Sequence, residues 1–103
     1  MQNIDWSEIY VLIDNLWDGP LDVVRSGTFN AENSKLIRDV LSSIRIPKID
    51  PLPRKFVSEI WYLPIFLERN KPKVQTVNSA EVAAEYDDLC SWVFNKVNEL
   101  IGD

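Results

Sequence analysis

Apolar residues recur in steps of three and four along two stretches, one near each end of the chain. The first stretch contains Trp6, Ile9, Ile13, Leu16 and Trp17, and the last contains Val82, Tyr86, Leu89, Val93, Val97 and Leu100. This spacing predicts amphipathic helices. Asp5 and Asn78 each stand where an N-cap is expected, with a glutamate three residues later. We therefore expect a first helix over residues 6–17 and a last helix that begins after Asn78.

Glycine and proline residues divide the middle of the chain. Residues 20–27 predict a short helical segment that Gly27 closes. Asn30 predicts the cap of a third helix over residues 31–44. The apolar stripe of this third helix contains Leu36, Ile37, Val40, Leu41 and Ile44. Three prolines within residues 46–53 exclude a helix there, so we interpret that segment as an extended connection.

The most apolar stretch of the chain is FVSEIWYLPIFL, residues 56–67. Pro64 cannot donate a helical hydrogen bond, so we expect the helix either to end around Tyr62 or to kink. Such a break would return residues 65–67 to the interior. The polar residues 68–79 that follow predict a surface loop.

These elements predict an all-α fold in a single domain over residues 1–103. We expect a small bundle of four to five helices, in which the first, third and last pack together. The stretch at 56–67 would form a short proline-kinked element against that bundle. Since 46% of the residues are hydrophobic, a chain of this length can bury a core of its own.

Composition limits the chemistry that the chain can perform. It has no histidine, and its one cysteine, Cys90, follows Leu89 in the apolar stripe of the last helix. A free cysteine in that setting behaves as a small hydrophobic residue. We therefore expect no enzyme activity, no catalytic residue, no metal site and no cofactor. The single cysteine, the lack of a secretory signal and the shortness of the apolar runs predict a cytoplasmic protein that does not enter the membrane.

Charge is unevenly distributed along the chain, which has a net charge of -5. Residues 1–24 contain acidic side chains and no basic ones, and three of these acids are Asp14, Asp18 and Asp22. Such a cluster is either a solvated helix face or a surface that docks on a basic partner. An acidic chain is a poor match for nucleic acid, so we expect a protein partner.

Ser58, Glu59, Ile60, Trp61, Tyr62 and Pro64 form a short motif within the most apolar stretch. This motif is similar to the third helix of the immunity proteins that neutralise nuclease colicins and pyocins, with Trp61 in place of a tyrosine. The immunity proteins of contact-dependent inhibition systems are a second family to which the chain could belong. The resemblance implies a bacterial, cytoplasmic inhibitor that occludes a basic toxin domain, for which a nuclease is the expected type.

The resemblance also implies which side chains would bind the partner. Trp61 and Tyr62 would be the anchors, and nearby carboxylates would supply steering and specificity. The carboxylates are those of Asp14, Asp18, Asp22, Glu32, Asp39 and Glu59. The alternative is that Trp61 and Tyr62 simply continue the core, although neighbouring residues of a helix cannot both face inward.

Two other functions fit the same sequence. One is a small helical interaction or assembly adaptor, for which a homo-oligomer is possible. The other is a helix-turn-helix nucleic-acid binder built from residues 23–41. Its outward side chains would be Asn30, Asn33, Ser34, Lys35 and Arg38.

Overall fold

The computed structural model describes residues 5–46 and 52–101, where the backbone forms five α-helices and no strand. The helices are α1 (Trp6–Asp18), α2 (Pro20–Val24), α3 (Ala31–Ser43), α4 (Arg54–Val77) and α5 (Ala80–Leu100). The all-α bundle predicted from the sequence is confirmed. The expected packing of the first, third and last helices with one another is wrong in one respect, because among the described residues α1 makes no close backbone contact with α5. Most of the predicted extended connection, residues 47–51, lies outside the described residues.

Three helices begin at a polar side chain that caps the first turn. The side chains of Asp5, Asn30 and Ser79 accept hydrogen bonds from the backbone N–H three residues later, at 3.2, 2.9 and 3.3 Å. Asp5 and Asn30 were the predicted caps of α1 and α3. The predicted cap of α5 was wrong by one residue, since Ser79 takes that role. The Asn78 amide instead donates to the carbonyl oxygens of Val74 and Gly27, and so ties the end of α4 to the loop after α2.

The long helix α4 differs from the prediction for residues 56–79. It continues through both Pro64 and Pro72 to Val77. Of the two alternatives at Pro64, an end of the helix around Tyr62 is therefore wrong, and the expected surface loop is helical as far as Val77. Each proline removes one intrahelical hydrogen bond, but packing along α5 supplies the stability that holds the helix together. Val74 is fully buried, and the Lys71 ammonium bridges Glu68 of α4 to Asp87 of α5 at 3.2 and 3.4 Å.

Helices α4 and α5 form an antiparallel hairpin that the other helices cover on one side. α1 and α2 pack against α4, and α3 packs against α5. The core between these layers contains Ile13, Leu21, Ile37, Phe56, Ile60, Leu63, Leu67, Tyr86, Leu89 and Val93, all fully buried. The side of α4 that faces away from this core carries exposed side chains.

Helix α3 is joined to α5 by a polar cluster. Ser34 is buried, and its hydroxyl donates to Glu85 at 2.7 Å, while the Arg38 guanidinium reaches the same carboxylate oxygen at 3.3 Å. The guanidinium carbon of Arg38 also lies 5.5 Å from the ring centroid of Trp92. One residue of the predicted apolar stripe is misplaced: Leu36 is 48% exposed, because it lies on the side of α3 away from α5.

Candidate protein-contact surface

The outward side of α4 carries three large exposed hydrophobic residues. Trp61 is 47% exposed, Tyr62 is 41% exposed and Ile65 is 39% exposed. They lie within one helical turn of each other, opposite the buried side that begins at Phe56 and Ile60. Because α4 is continuous here, the three side chains share one face of the helix.

This surface extends onto α1 through aromatic contacts. The ring of Tyr62 stacks on that of Trp17, with centroids 5.7 Å apart, and Phe66 meets Trp17 edge-on at 4.9 Å. The guanidinium of Arg25 lies 5.5 Å from the Phe66 ring centroid. We call Trp17, Trp61, Tyr62 and Ile65 the aromatic face. Tyr62 is thus held on one side and exposed on the other, as expected of an interface anchor.

Carboxylates lie along the α1 edge of the aromatic face. Asp14 and Asp18 are exposed and one turn apart on α1, and Trp17 lies between them in the sequence. Asp22 is exposed on α2. The predicted acidic cluster is therefore at the surface, and Asp14 is next to Trp17 on the helix.

Glu59 is half-buried on α4, one turn before Tyr62. One of its carboxylate oxygens, Oε2, is buried and has no hydrogen-bond partner among the described residues. Such an oxygen favours a nearby donor. By helical spacing Glu59 lies three residues before Tyr62, and its role in partner binding stays a prediction.

The remaining two predicted carboxylates lie elsewhere. Glu32 and Asp39 are both exposed on α3, which in the described part of the chain packs on α1, α2 and α5 but does not border α4. Asp39 already pairs with Lys35 at 2.9 Å on the same helix. The structure therefore does not bring these two acids together with Trp61 and Tyr62.

The structure of α3 also differs from the nucleic-acid-binding surface that the sequence predicts. Ser34 and Arg38 were expected to point outward, yet both contact Glu85 of α5. Only Lys35 remains as a fully outward basic side chain of that set, and it pairs with Asp39. A phosphate-binding surface needs several exposed cations, so this arrangement weakens the helix-turn-helix interpretation.

Cys90 lies in the core, as predicted, and is 4% exposed. Burial raises the pKa of its thiol to about 12, and the nearby Glu68 carboxylate acts in the same direction. The thiol is therefore protonated at neutral pH, which is the unreactive form. Within residues 5–46 and 52–101, no three acidic or cysteine side chains come together in a way that could hold a metal ion.

Two exposed hydrophobic residues near this surface were not predicted. Ile65 was expected in the interior, and Phe94 of α5 is 53% exposed. The exposure of Ile65 follows from helical spacing once the helix is continued through Pro64, since it is four residues from Trp61 and three from Tyr62. The exposure of Ile65 therefore follows from the sequence pattern, but only if the helix is taken to continue through Pro64.

Comparisons of the chain with protein-family models, with curated proteins and with solved structures found no match. Among the described helices, none is both long enough and apolar enough to cross a membrane.

Proposed function

We propose that this chain is a non-enzymatic inhibitor that binds and occludes a basic protein domain, in the manner of an immunity protein that neutralises a bacterial toxin. The observation that carries the proposal is the exposure of Trp61, Tyr62 and Ile65 together on one face of a continuous helix. Large aromatic side chains at the centre of an interface supply most of its binding free energy. Leaving them in water is unfavourable unless a partner covers them.

Charge supports a basic partner. Asp14 and Asp18 border the aromatic face, and the whole chain carries a net charge of -5. Carboxylates at the rim of an interface attract a basic protein over long range and speed its association. In the proposed mechanism these acids steer the partner, the aromatic face anchors it, and no covalent chemistry takes place. The expected partner is a toxin domain, of which a basic nuclease is the type implied by the sequence motif, and the expected compartment is the cytoplasm.

The experiment is co-expression with the product of the adjacent open reading frame, followed by measurement of toxicity and of the dissociation constant. The double variant Trp61→Ala, Tyr62→Ala should lose protection and bind at least about 30-fold more weakly, the equivalent of one interface hot spot. The matched control is Leu36→Ala, which truncates an equally exposed hydrophobic residue on α3. Circular dichroism should show unchanged helical content in both variants.

A second arm tests steering by the carboxylates. Replacing Asp14 and Asp18 by asparagine should slow association and reduce its dependence on salt, with little change in the dissociation rate. The double variant Glu32→Gln, Asp39→Asn on α3 is the charge-matched control and should behave as the wild type. If the neighbouring gene product neither binds nor is neutralised, the inhibitor proposal fails.

The alternative of an assembly adaptor uses the same surface, because an exposed apolar helix face can also pair with a second copy of itself. Molar mass measured by light scattering over a range of concentrations separates the two. A dimer that Trp61→Ala dissociates, with no heterologous partner, would favour the adaptor.

A further inference from the structure

A groove of about 300 Å³ lies between α4 and α5, beside the aromatic face. It is lined by Pro64, Glu68, Cys90, Ser91, Phe94 and Asn95. Pro64 is one helical turn from Trp61 and next to Ile65, so a partner that covers those two residues also reaches the groove. The groove is on the opposite edge of the aromatic face from Trp17.

The lining of the groove is apolar at depth and polar at the mouth. Pro64 and Cys90 are buried, while Phe94 is 53% exposed and offers its ring to a bound group. Glu68, Ser91 and Asn95 are all exposed and supply oxygen and amide groups. This arrangement fits a side chain that has an apolar stem and a polar tip.

The charged groups at the edge of the groove indicate whether the polar tip should be cationic or anionic. The Lys71 ammonium is 3.2 Å from Glu68 and 3.4 Å from Asp87, so one cation is shared by two carboxylates. The three groups together carry one net negative charge at the edge of the groove. A cationic tip would neutralise this charge while sharing the Glu68 carboxylate with Lys71, whereas an anionic tip would add a further negative charge beside Glu68. An aromatic ring such as Phe94 also attracts a cation to its face.

We propose that this groove binds an arginine side chain of the partner protein. The guanidinium donates hydrogen bonds to the Glu68 carboxylate, its plane lies against the Phe94 ring, and its methylene stem packs on Pro64. Arginine is favoured over lysine because a planar guanidinium can stack on a ring while it donates to a carboxylate. The existence of a protein partner rests on the proposed function, but the chemistry of the groove can be measured without that partner.

The experiment is a titration of the full chain with N-acetyl-arginine amide, followed by NMR of the backbone amides at constant ionic strength. The expected result is saturable chemical-shift change at Ser91, Phe94 and Asn95. Glu68→Gln should weaken binding by about tenfold, the loss of one charge-assisted hydrogen bond. Asp88→Asn is the control, because it removes the same charge from an exposed position of α5 outside the groove. This control should bind as the wild type does.

N-acetyl-norleucine amide, which has a stem without a charge, tests the role of the cation. Equal shifts with the norleucine probe would overturn the proposal, as would no shift with the arginine probe or equal weakening by Glu68→Gln and Asp88→Asn. These outcomes are independent of the inhibitor assay. If the arginine probe binds but no toxin partner is found, only the proposed function fails. If the partner binds but the arginine probe does not, only the groove proposal fails.

Discussion

The hydroxyl group of Tyr86 donates a hydrogen bond of 2.6 Å to the backbone carbonyl oxygen of Leu67. Both residues are fully buried, and the bond joins the middle of α4 to α5. It lies on the buried side of α4, opposite the aromatic face. The two helices that carry Trp61 and Phe94 are therefore fixed relative to each other from within the core.

Removal of this bond should reduce stability without changing the exposed surface. In Tyr86→Phe the ring keeps its packing, including its edge-on contact with Phe29 at 4.9 Å. We expect a loss of about 0.5–1.5 kcal/mol in the free energy of unfolding, the usual net contribution of one hydrogen bond. Urea denaturation followed by circular dichroism measures it. A loss well above that range would mean that the hydroxyl group has a role in packing beyond this bond.

The sequence predicted those parts of the fold that depend on local signals. The caps at Asp5 and Asn30 fix the starts of α1 and α3, and both are satisfied by bonds within a single turn. The second half of α4 could not be predicted in this way. Residues 68–77 are polar and contain Pro72, and their helix depends on contacts with α5 that are distant in sequence, such as the bridge from Lys71 to Asp87.

The candidate surface likewise has some features that local sequence predicts and others that depend on tertiary packing. The chain has four Trp residues, more than one small core can readily enclose, so an exposed Trp such as Trp61 is expected from the sequence. Whether Tyr62 is exposed as well depended on how α4 packs, because both sides of a helix can be apolar. The contact of Tyr62 with Trp17, which lies 45 positions earlier in the numbering of the chain, is a tertiary relationship with no local signal.

Proline at position 72 should lower the stability of α4. Pro72 is exposed in the helix interior and cannot donate a hydrogen bond to the carbonyl oxygen of Glu68. We expect Pro72→Ala to raise the free energy of unfolding by about 1–3 kcal/mol, as the restored bond and the better helix propensity act together. Chemical denaturation at constant pH measures the change.

The control for this prediction is Pro20→Ala. Pro20 occupies the first turn of α2, where proline is well tolerated, so its replacement should give no such gain. If Pro72→Ala is no more stable than the wild type, the restriction that proline places on the unfolded chain outweighs its cost in the helix.

Gly27 should not tolerate a side chain. Its φ angle is +90°, a conformation that L-residues rarely adopt, and a Cβ atom there would lie 2.7 Å from Cγ2 of Val77. Gly27→Ala should therefore destabilise the fold through both backbone strain, about 1–2 kcal/mol, and a steric clash. A double-mutant cycle with Val77→Ala separates the two contributions, because that change removes the clashing methyl group. The cost of Gly27→Ala should be smaller in the Val77→Ala background. Equal costs would show that the Val77 methyl contributes nothing, which leaves backbone strain and the contacts with Cγ and the carbonyl oxygen of Lys73, at 3.1 and 3.2 Å from the new Cβ.

The buried thiol of Cys90 should make stability depend on alkaline pH. Its pKa is raised from the ordinary value of 9.0 to about 12 in the folded chain, chiefly by burial. Above pH 9 the unfolded chain therefore releases the thiol proton while the folded chain keeps it, and ionisation favours unfolding. The contribution is fully present below pH 9 and is lost as pH rises toward 12, by up to about 1.4 kcal/mol per pH unit.

Urea denaturation of wild type and Cys90→Ala between pH 7 and about pH 10.5 tests this dependence. Burial also raises the pKa of Tyr86, and the carboxylates of Glu68 and Asp87 raise the pKa of Lys71. Some loss of stability at high pH should therefore remain in Cys90→Ala. The difference in the free energy of unfolding between the two proteins isolates the contribution of the thiol. From pH 8 upward, the wild type should lose stability faster than Cys90→Ala does. A difference that stays constant across this range would show that the thiol has the same pKa in the folded and unfolded chains.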